Sequence, residues 1–234
     1  QLLGILSTIT ADNNTLGAGT EATENSHIYP LVATSCIQKL SAKYVNLAKR
    51  HIFDFIMQPL LRLFEPCHAS SRKVIIDEKE MKRCIDQLHF IFTNCDPSSV
   101  FIGLLQPIVS SLLFIHYSSS GRGVSYLHAL VQQLLERYLK QVSSDDALNE
   151  LRAFLFYDPV ISNDQDVKRQ CLTQNLSICP GPDGGLMAVL NNDDDSNLLD
   201  DDKIAAATCD FLQYERFKEL TIDFYLSLLK DLTK

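Results

Sequence analysis

The feature that most constrains this chain is a repeat within itself. Cys36-Ile37-Gln38-Lys39-Leu40 lines up with Cys84-Ile85-Asp86-Gln87-Leu88. At the same separation, with nothing shifted, Asn46 meets Asn94, Phe53 meets Phe101, and Ile56-Met57-Gln58-Pro59-Leu60 meets Leu104-Leu105-Gln106-Pro107-Ile108. That separation is close to the roughly 40–47 residues of HEAT and armadillo units, once a slightly long link between helices is allowed for. Each unit is then a pair of helices. A lone helical hairpin has one apolar face too many, so successive hairpins must stack, which buries a continuous core and leaves an extended concave surface suited to binding. The sequence therefore predicts an all-α, HEAT/armadillo-like α-solenoid of stacked antiparallel hairpins. Its repeat motif comprises Cys36, Ile37, Leu40, Gln58, Pro59, Cys84, Ile85, Leu88, Gln106 and Pro107. Pro59 and Pro107 fall at matching places in the second helix of each unit, where a proline removes one backbone hydrogen bond and kinks the helix, at about 3 kcal/mol in an isolated helix interior.

Composition agrees with helices and a packed core: 46% of the 234 residues are hydrophobic and 21% charged, glycine is scarce at 9, and tryptophan is absent. Apolar spacing predicts helices over residues 28–47, 48–64, 77–93, 100–117, 125–142 and 146–156. Ser26 and Pro30 supply start chemistry for the first, Pro66 ends the second, and Ser98 or Ser99 caps the fourth. In the third, Met81, Cys84, Ile85, Leu88 and Ile91 share one face, with Glu78, Lys79, Lys82 and Arg83 opposite. Residues 1–27 read as the end of an upstream helix followed by a flexible loop, and 28–158 as the hairpin repeats. Residues 159–203 read as an acidic, mostly disordered loop containing Pro180-Gly181-Pro182-Asp183-Gly184-Gly185, with a short helix over 167–175, and 204–234 as a further hairpin of the solenoid. A start at Gln1 and an end within an amphipathic run lead us to expect an internal fragment of a larger protein.

The net charge of −8, without a Lys/Arg cluster, argues against a nucleic-acid surface. The seven cysteines are scattered among aliphatic neighbours, which suits reduced core thiols in a cytosolic or nuclear protein. The Asn13-Asn14-Thr15 and Asn175-Leu176-Ser177 sequons read as chance occurrences, since no signal peptide is visible. No G-x-S-x-G elbow, phosphate-binding glycine loop, H-E-x-x-H or C-x-x-C occurs, so the expectation is no catalytic residues, no cofactor and no metal. A hydrolase with dispersed residues, the contrasting reading, would draw on His51, His89 and His116. Asp193, Asp194, Asp195, Asp200, Asp201 and Asp202 miss the EF-hand pattern, because Leu198 and Ile204 stand where it needs glycine and glutamate. They are expected to form a solvated acidic loop, with contact to a basic partner as the functional alternative.

Residues 98–121 carry no Asp, Glu or Lys and no Arg, and residues 100–117 are apolar enough to span a bilayer, which takes about 20 residues. Gln106, Pro107, Ser110, Ser111 and His116 interrupt the stretch. Its repeat counterpart holds Arg50, His51, Asp54 and Arg62, so a buried central helix of the stack is the favoured reading over a membrane anchor.

At Asn94-Cys95-Asp96-Pro97-Ser98, Leu104-Leu105-Gln106-Pro107-Ile108 and Leu112-Leu113, the chain resembles the RNA polymerase II assembly factor family, also called the transport and Golgi organisation protein six family. Phe55-Ile56-Met57-Gln58-Pro59-Leu60 and the final run over 220–232 extend the likeness more weakly, and residues 30–157 are covered overall. The resemblance implies a large armadillo/HEAT-type protein without enzymatic residues. It implies protein partners, among them RNA polymerase II subunits or transport factors, and roles in polymerase assembly and nuclear import or in secretion and Golgi organisation. It also implies a cytoplasmic location, with shuttling to the nucleus or peripheral contact with Golgi membranes. The resemblance does not extend to the acidic stretch after Phe156 or to the family's C-terminal segments.

Overall fold

A computed structural model of the protein describes residues 28–65, 73–94, 98–119, 125–156, 176–191, 222–226 and 229–230. Three successive helical hairpins occupy most of them. In the first, α1 (Ile28–Lys43) is followed by α2 (Val45–Ala48), a π-helical turn (Lys49–Phe53), α3 (Asp54–Leu61) and a closing 3-10 turn (Arg62–Phe64). The second begins with α4 (Glu78–Thr93) and returns through α5 (Ser99–Gly103), a 3-10 turn (Gln106–Ile108) and α6 (Val109–Ser119). The third is α7 (Ser125–Gln141) with α8 (Ser144–Phe156).

Local chemistry sets these boundaries. The Asp77 carboxylate accepts the Glu80 amide at 2.8 Å and opens α4, where Glu78 and Glu80 also face the positive end of the helix. Ser98 accepts the Phe101 amide at 3.2 Å to start α5. Ser143 and Asp146 cap α8 reciprocally: Asp146 N–H donates to the serine Oγ, which donates to the Asp146 carboxylate at 2.7 Å. One boundary differs from expectation. The first helix was predicted to run through Leu47, but Tyr44 leaves helical geometry at φ −135° and ψ 61°, so the chain turns there and the return helix starts at Val45.

The hairpins stack as the repeat requires. Helix α3 packs on α4, α4 on α7, α6 on α7 and α8, and α1 on α2 and α5. The two proline-bearing segments are neighbours: α3 contacts the 3-10 turn at Gln106–Ile108, and Ser111 Oγ donates to the Leu60 carbonyl at 3.2 Å. A single core of buried side chains runs through all three units, from Ile37 and Phe53 through Leu88, Phe92 and Leu112 to Val131 and Leu151. Phe53 and Phe101, equivalent residues of two units, meet edge to face with centroids 5.8 Å apart, and Phe92 lies against both. The segment Phe101–Ser119, long and apolar enough to cross a membrane by length and composition, is 72% buried within this stack.

A three-stranded antiparallel sheet completes the described fold and corrects the domain reading at 159–203. That stretch was expected to be a mostly disordered loop, yet it supplies β2 (Leu176–Pro180) and β3 (Leu186–Leu190), which join β1 (Lys73–Ile76) in the order β1-β3-β2. Alternation explains it. The cross-strand pairs Leu176 with Leu190, Ile178 with Ala188 and Pro180 with Leu186 share one face. Leu176, Ile178, Leu186 and Ala188 of that face belong to the helical core. Strand β2 lies on α6 and β3 on α4. The turn is locked to α4 by Glu78, whose Oε2 accepts the Asp183 amide at 2.8 Å and whose Oε1 accepts the Gly185 amide. A Cβ at Gly181 or Gly185 would strike that carboxylate, and Gly184 sits at φ 87°, so the glycines serve the turn and the close approach.

Residues 222–226 and 229–230 are helical, and Phe224 enters the common core. The expected upstream segment 1–27, the short helix over 167–175 and the six aspartates of 193–202 lie outside the described residues.

Candidate binding surface

The motif residues divide between the core and the surface. Ile37, Pro59, Cys84, Ile85 and Leu88 are buried, whereas Cys36, Leu40, Gln58, Gln106 and Pro107 face outward. Gln106 bridges units, donating from Nε2 to the nearly buried Glu150 at 3.2 Å. Cys84 does so as well, its thiol donating to the Ile56 carbonyl at 3.2 Å. Burial first, then the Glu80 charge, pushes that thiol up to about 12, so Cys84 is a packing group and not a nucleophile.

A surface ridge forms where α4 and α7 lie side by side. Asp86 meets Tyr126, His89 meets Gln133, and Thr93 meets Arg137, so the two helices run in the same direction, as first helices of successive units should. The contacts are specific. Tyr126 O–H donates to Asp86 Oδ1 at 2.8 Å while Lys82 Nζ lies 3.0 Å from Asp86 Oδ2 and 5.7 Å from the Tyr126 ring. Desolvation against the ridge and then the hydrogen bond to Asp86 push the Tyr126 phenol up to about 12. His89 Nε2 is 2.6 Å from Gln133 Oε1. Arg137 donates to the Thr93 carbonyl at 3.0 Å, placing a cation at the negative end of α4. Lys79, Arg83, Gln133 and Lys140 stand exposed along the two helices. Sequence reasoning missed this ridge. Its pairs His89–Gln133 and Thr93–Arg137 are each 44 residues apart, a spacing carried by polar residues with no identity between units.

A second polar cluster sits at the α6–α7 end. The His116 and His128 rings stack at 4.3 Å and 20°, and Ser119 Oγ is 2.9 Å from His128 Nδ1 while donating to the His116 carbonyl at 3.0 Å. Burial first, then the neighbouring His128, lowers His116 to about 4. His51, His89 and His116 are not gathered into one site: His51 is exposed, His89 belongs to the ridge and His116 to this stack. No group of three His, Cys, Asp or Glu side chains suited to a metal ion comes together among the described residues.

The model of one protein family, described as the Transport and Golgi organization protein 6 homolog, ARM-like repeat, matches residues 21–221. No curated protein and no solved structure matches the chain.

Proposed function

The chain belongs to the ARM-like repeat family of Transport and Golgi organization protein 6 homologs, and on that premise we propose that it is a non-enzymatic scaffold that binds other proteins along its stacked hairpins. The observation that carries this reading is the α4–α7 ridge. Its polar side chains are tied to one another across the unit boundary and so present a pre-ordered surface, which reduces the side-chain entropy lost when a partner binds. The family's name supports a finer proposal, a part in protein secretion and Golgi organisation, from the cytoplasm or the periphery of Golgi membranes. Assembly of RNA polymerase II and its nuclear import, with polymerase subunits or transport factors as partners, is the companion proposal carried by the resemblance at Leu104-Leu105-Gln106-Pro107-Ile108.

Affinity purification of the intact protein, with identification of what accompanies it, tests the scaffold directly. Secretory transport factors or polymerase subunits should co-purify, and should be lost when Lys79→Glu, Arg83→Glu and Lys140→Glu are combined on the exposed ridge. Identical recovery by wild type and the triple variant would remove the ridge from the account. Carbonate extraction separates the membrane-anchored alternative through residues 100–117, because only an integral protein stays in the pellet.

A further inference from the structure

The first and second hairpins carry equivalent first helices, and their equivalent positions meet different surroundings. Ala33 and Ile37 of α1 are buried as Met81 and Ile85 of α4 are, so both helices bury the same stripe. A second stripe behaves differently. Cys84, Leu88 and Phe92 are 2%, 0% and 0% exposed, and the preceding unit covers this stripe: the Ile56 carbonyl accepts from Cys84, and the Phe53 ring lies 5.6 Å from Phe92. Their counterparts in α1 and just beyond it are Cys36, Leu40 and Tyr44. Cys36 is exposed, Leu40 is 37% exposed and Tyr44 is 49% exposed. The chemistry of the stripe is kept, thiol for thiol, leucine for leucine and aromatic for aromatic, while no unit among the described residues covers it as the first covers the second. Leu31, Val32, Leu47 and Phe55 are exposed on the same hairpin. Helix α1 is thus apolar on more than one side, as a helix flanked on both sides would be.

We propose that the stripe Cys36, Leu40 and Tyr44 is a receiving face for one further helical hairpin of the same repeat, joined in tandem ahead of the first. Its second helix presents an aromatic ring and a backbone carbonyl as Phe53 and Ile56 do to the second unit. The occupant follows from the repeat itself, because the unit boundary already in the fold shows what seats on these positions one unit later. The inference goes beyond the scaffold reading and does not depend on which proteins the scaffold binds.

The test builds the missing neighbour from the chain's own repeat. A second copy of residues 30–77, carrying Cys36→Ser and Cys67→Ser, is inserted before Pro30 of the full chain, so that Pro30 follows the copied Asp77 as Glu78 follows the native one. The reaction of the original Cys36 with a thiol reagent is then followed by peptide mapping. In the chain without the insertion, Cys36 should react quickly, and the insertion should slow it by at least about 10-fold, the protection expected when a thiol becomes reachable only through local opening. A matched insertion whose copy also carries Phe53→Asp and Ile56→Asp should give no protection. Equal reactivity with and without the intact copy overturns the proposal. Protection that rises with concentration of the uninserted chain also overturns it, in favour of a second copy of this chain as occupant. A further measurement does not depend on the insertion folding: Leu40→Lys with Tyr44→Lys should leave the thermal midpoint of the chain within a few degrees of wild type, the range of an exposed substitution. A collapse of the fold would show that the stripe is already covered within the chain.

Discussion

Pro59 and Pro107 deprive their helices of the same kind of hydrogen bond, and the two helices respond in opposite directions. In the first hairpin the chain keeps α geometry through the buried Pro59, and the turn before it is widened into a π-helix over Lys49–Phe53, with the Asp54 amide reaching back to the Lys49 carbonyl. In the second hairpin the helix breaks after Gly103 and tightens into a 3-10 turn around the exposed Pro107, held by the Leu105 amide on Ile102 and the Ile108 amide on Leu105, both at 3.0 Å. Surroundings and sequence both differ. The second helix carries Gly103, a weak helix former, where the first carries Phe55, and it is enclosed by α7, α8 and the sheet. A shared Gln-Pro pair thus fixes where the backbone departs from an ideal helix, while the neighbours decide how.

The comparison extends to stability, where the second hairpin is clamped on both sides and the first on one. The largest expected contrast lies in equivalent aromatics: Phe92→Ala should cost about 3–5 kcal/mol in denaturant unfolding, and Tyr44→Ala, half exposed, less than about 1 kcal/mol. Equal losses would break the comparison.

Acid should weaken the second hairpin through His116 of α6. Its folded-state pKa lies near 4, below the usual 6.5, because burial disfavours the charged imidazole. Between those values the unfolded chain binds more protons than the folded one, so this contribution is complete above 6.5 and lost as pH falls toward 4. The loss is on the order of 3 kcal/mol, visible as a pH-dependent unfolding free energy that His116→Phe should flatten. A slope unchanged in that variant would assign the acid sensitivity elsewhere.

The sheet that braces the second hairpin hangs on Glu78. Removing its carboxylate by Glu78→Ala leaves the Asp183 and Gly185 amides without their acceptor, and should cost roughly 2 kcal/mol, with faster hydrogen exchange across Leu176–Leu190 and little change in α1. The smallest effect expected is a gain. A Cβ at Gly103 meets nothing within 4 Å, so Gly103→Ala should stabilise the chain by about 0.5–1 kcal/mol, measured by the urea midpoint, and draw the second helix toward the first in character.

How much of this was legible follows from where each contact lies in the chain. Helix positions and the pairing of units were readable, because Cys36 with Cys84, Phe53 with Phe101 and Pro59 with Pro107 repeat with intact spacing. The break at Tyr44 was not, since Val45 and Leu47 continue the apolar pattern across it. The hairpin over 176–190 hid for a different reason. Leu176, Ile178, Leu186 and Ala188 alternate as a strand pair does, but the pair gains a core only by joining Lys73–Ile76 and docking on α4 and α6, all far earlier in the chain, as the 107-residue span from Glu78 to Gly185 illustrates. Local pattern carries no trace of that partner, and the surrounding glycines and aspartates mimic a solvated loop. The ridge was hidden likewise, because Asp86, His89, Gln133 and Arg137 find one another only once α4 and α7 lie side by side.

Successive hairpins pack unit on unit through equivalent residues, and the Phe53–Phe101 contact is the most direct expression of that stacking. A double-mutant cycle on Phe53→Ala and Phe101→Ala, read by equilibrium unfolding, should return a coupling energy of about 0.5–1.5 kcal/mol. Strictly additive losses would contradict the stack.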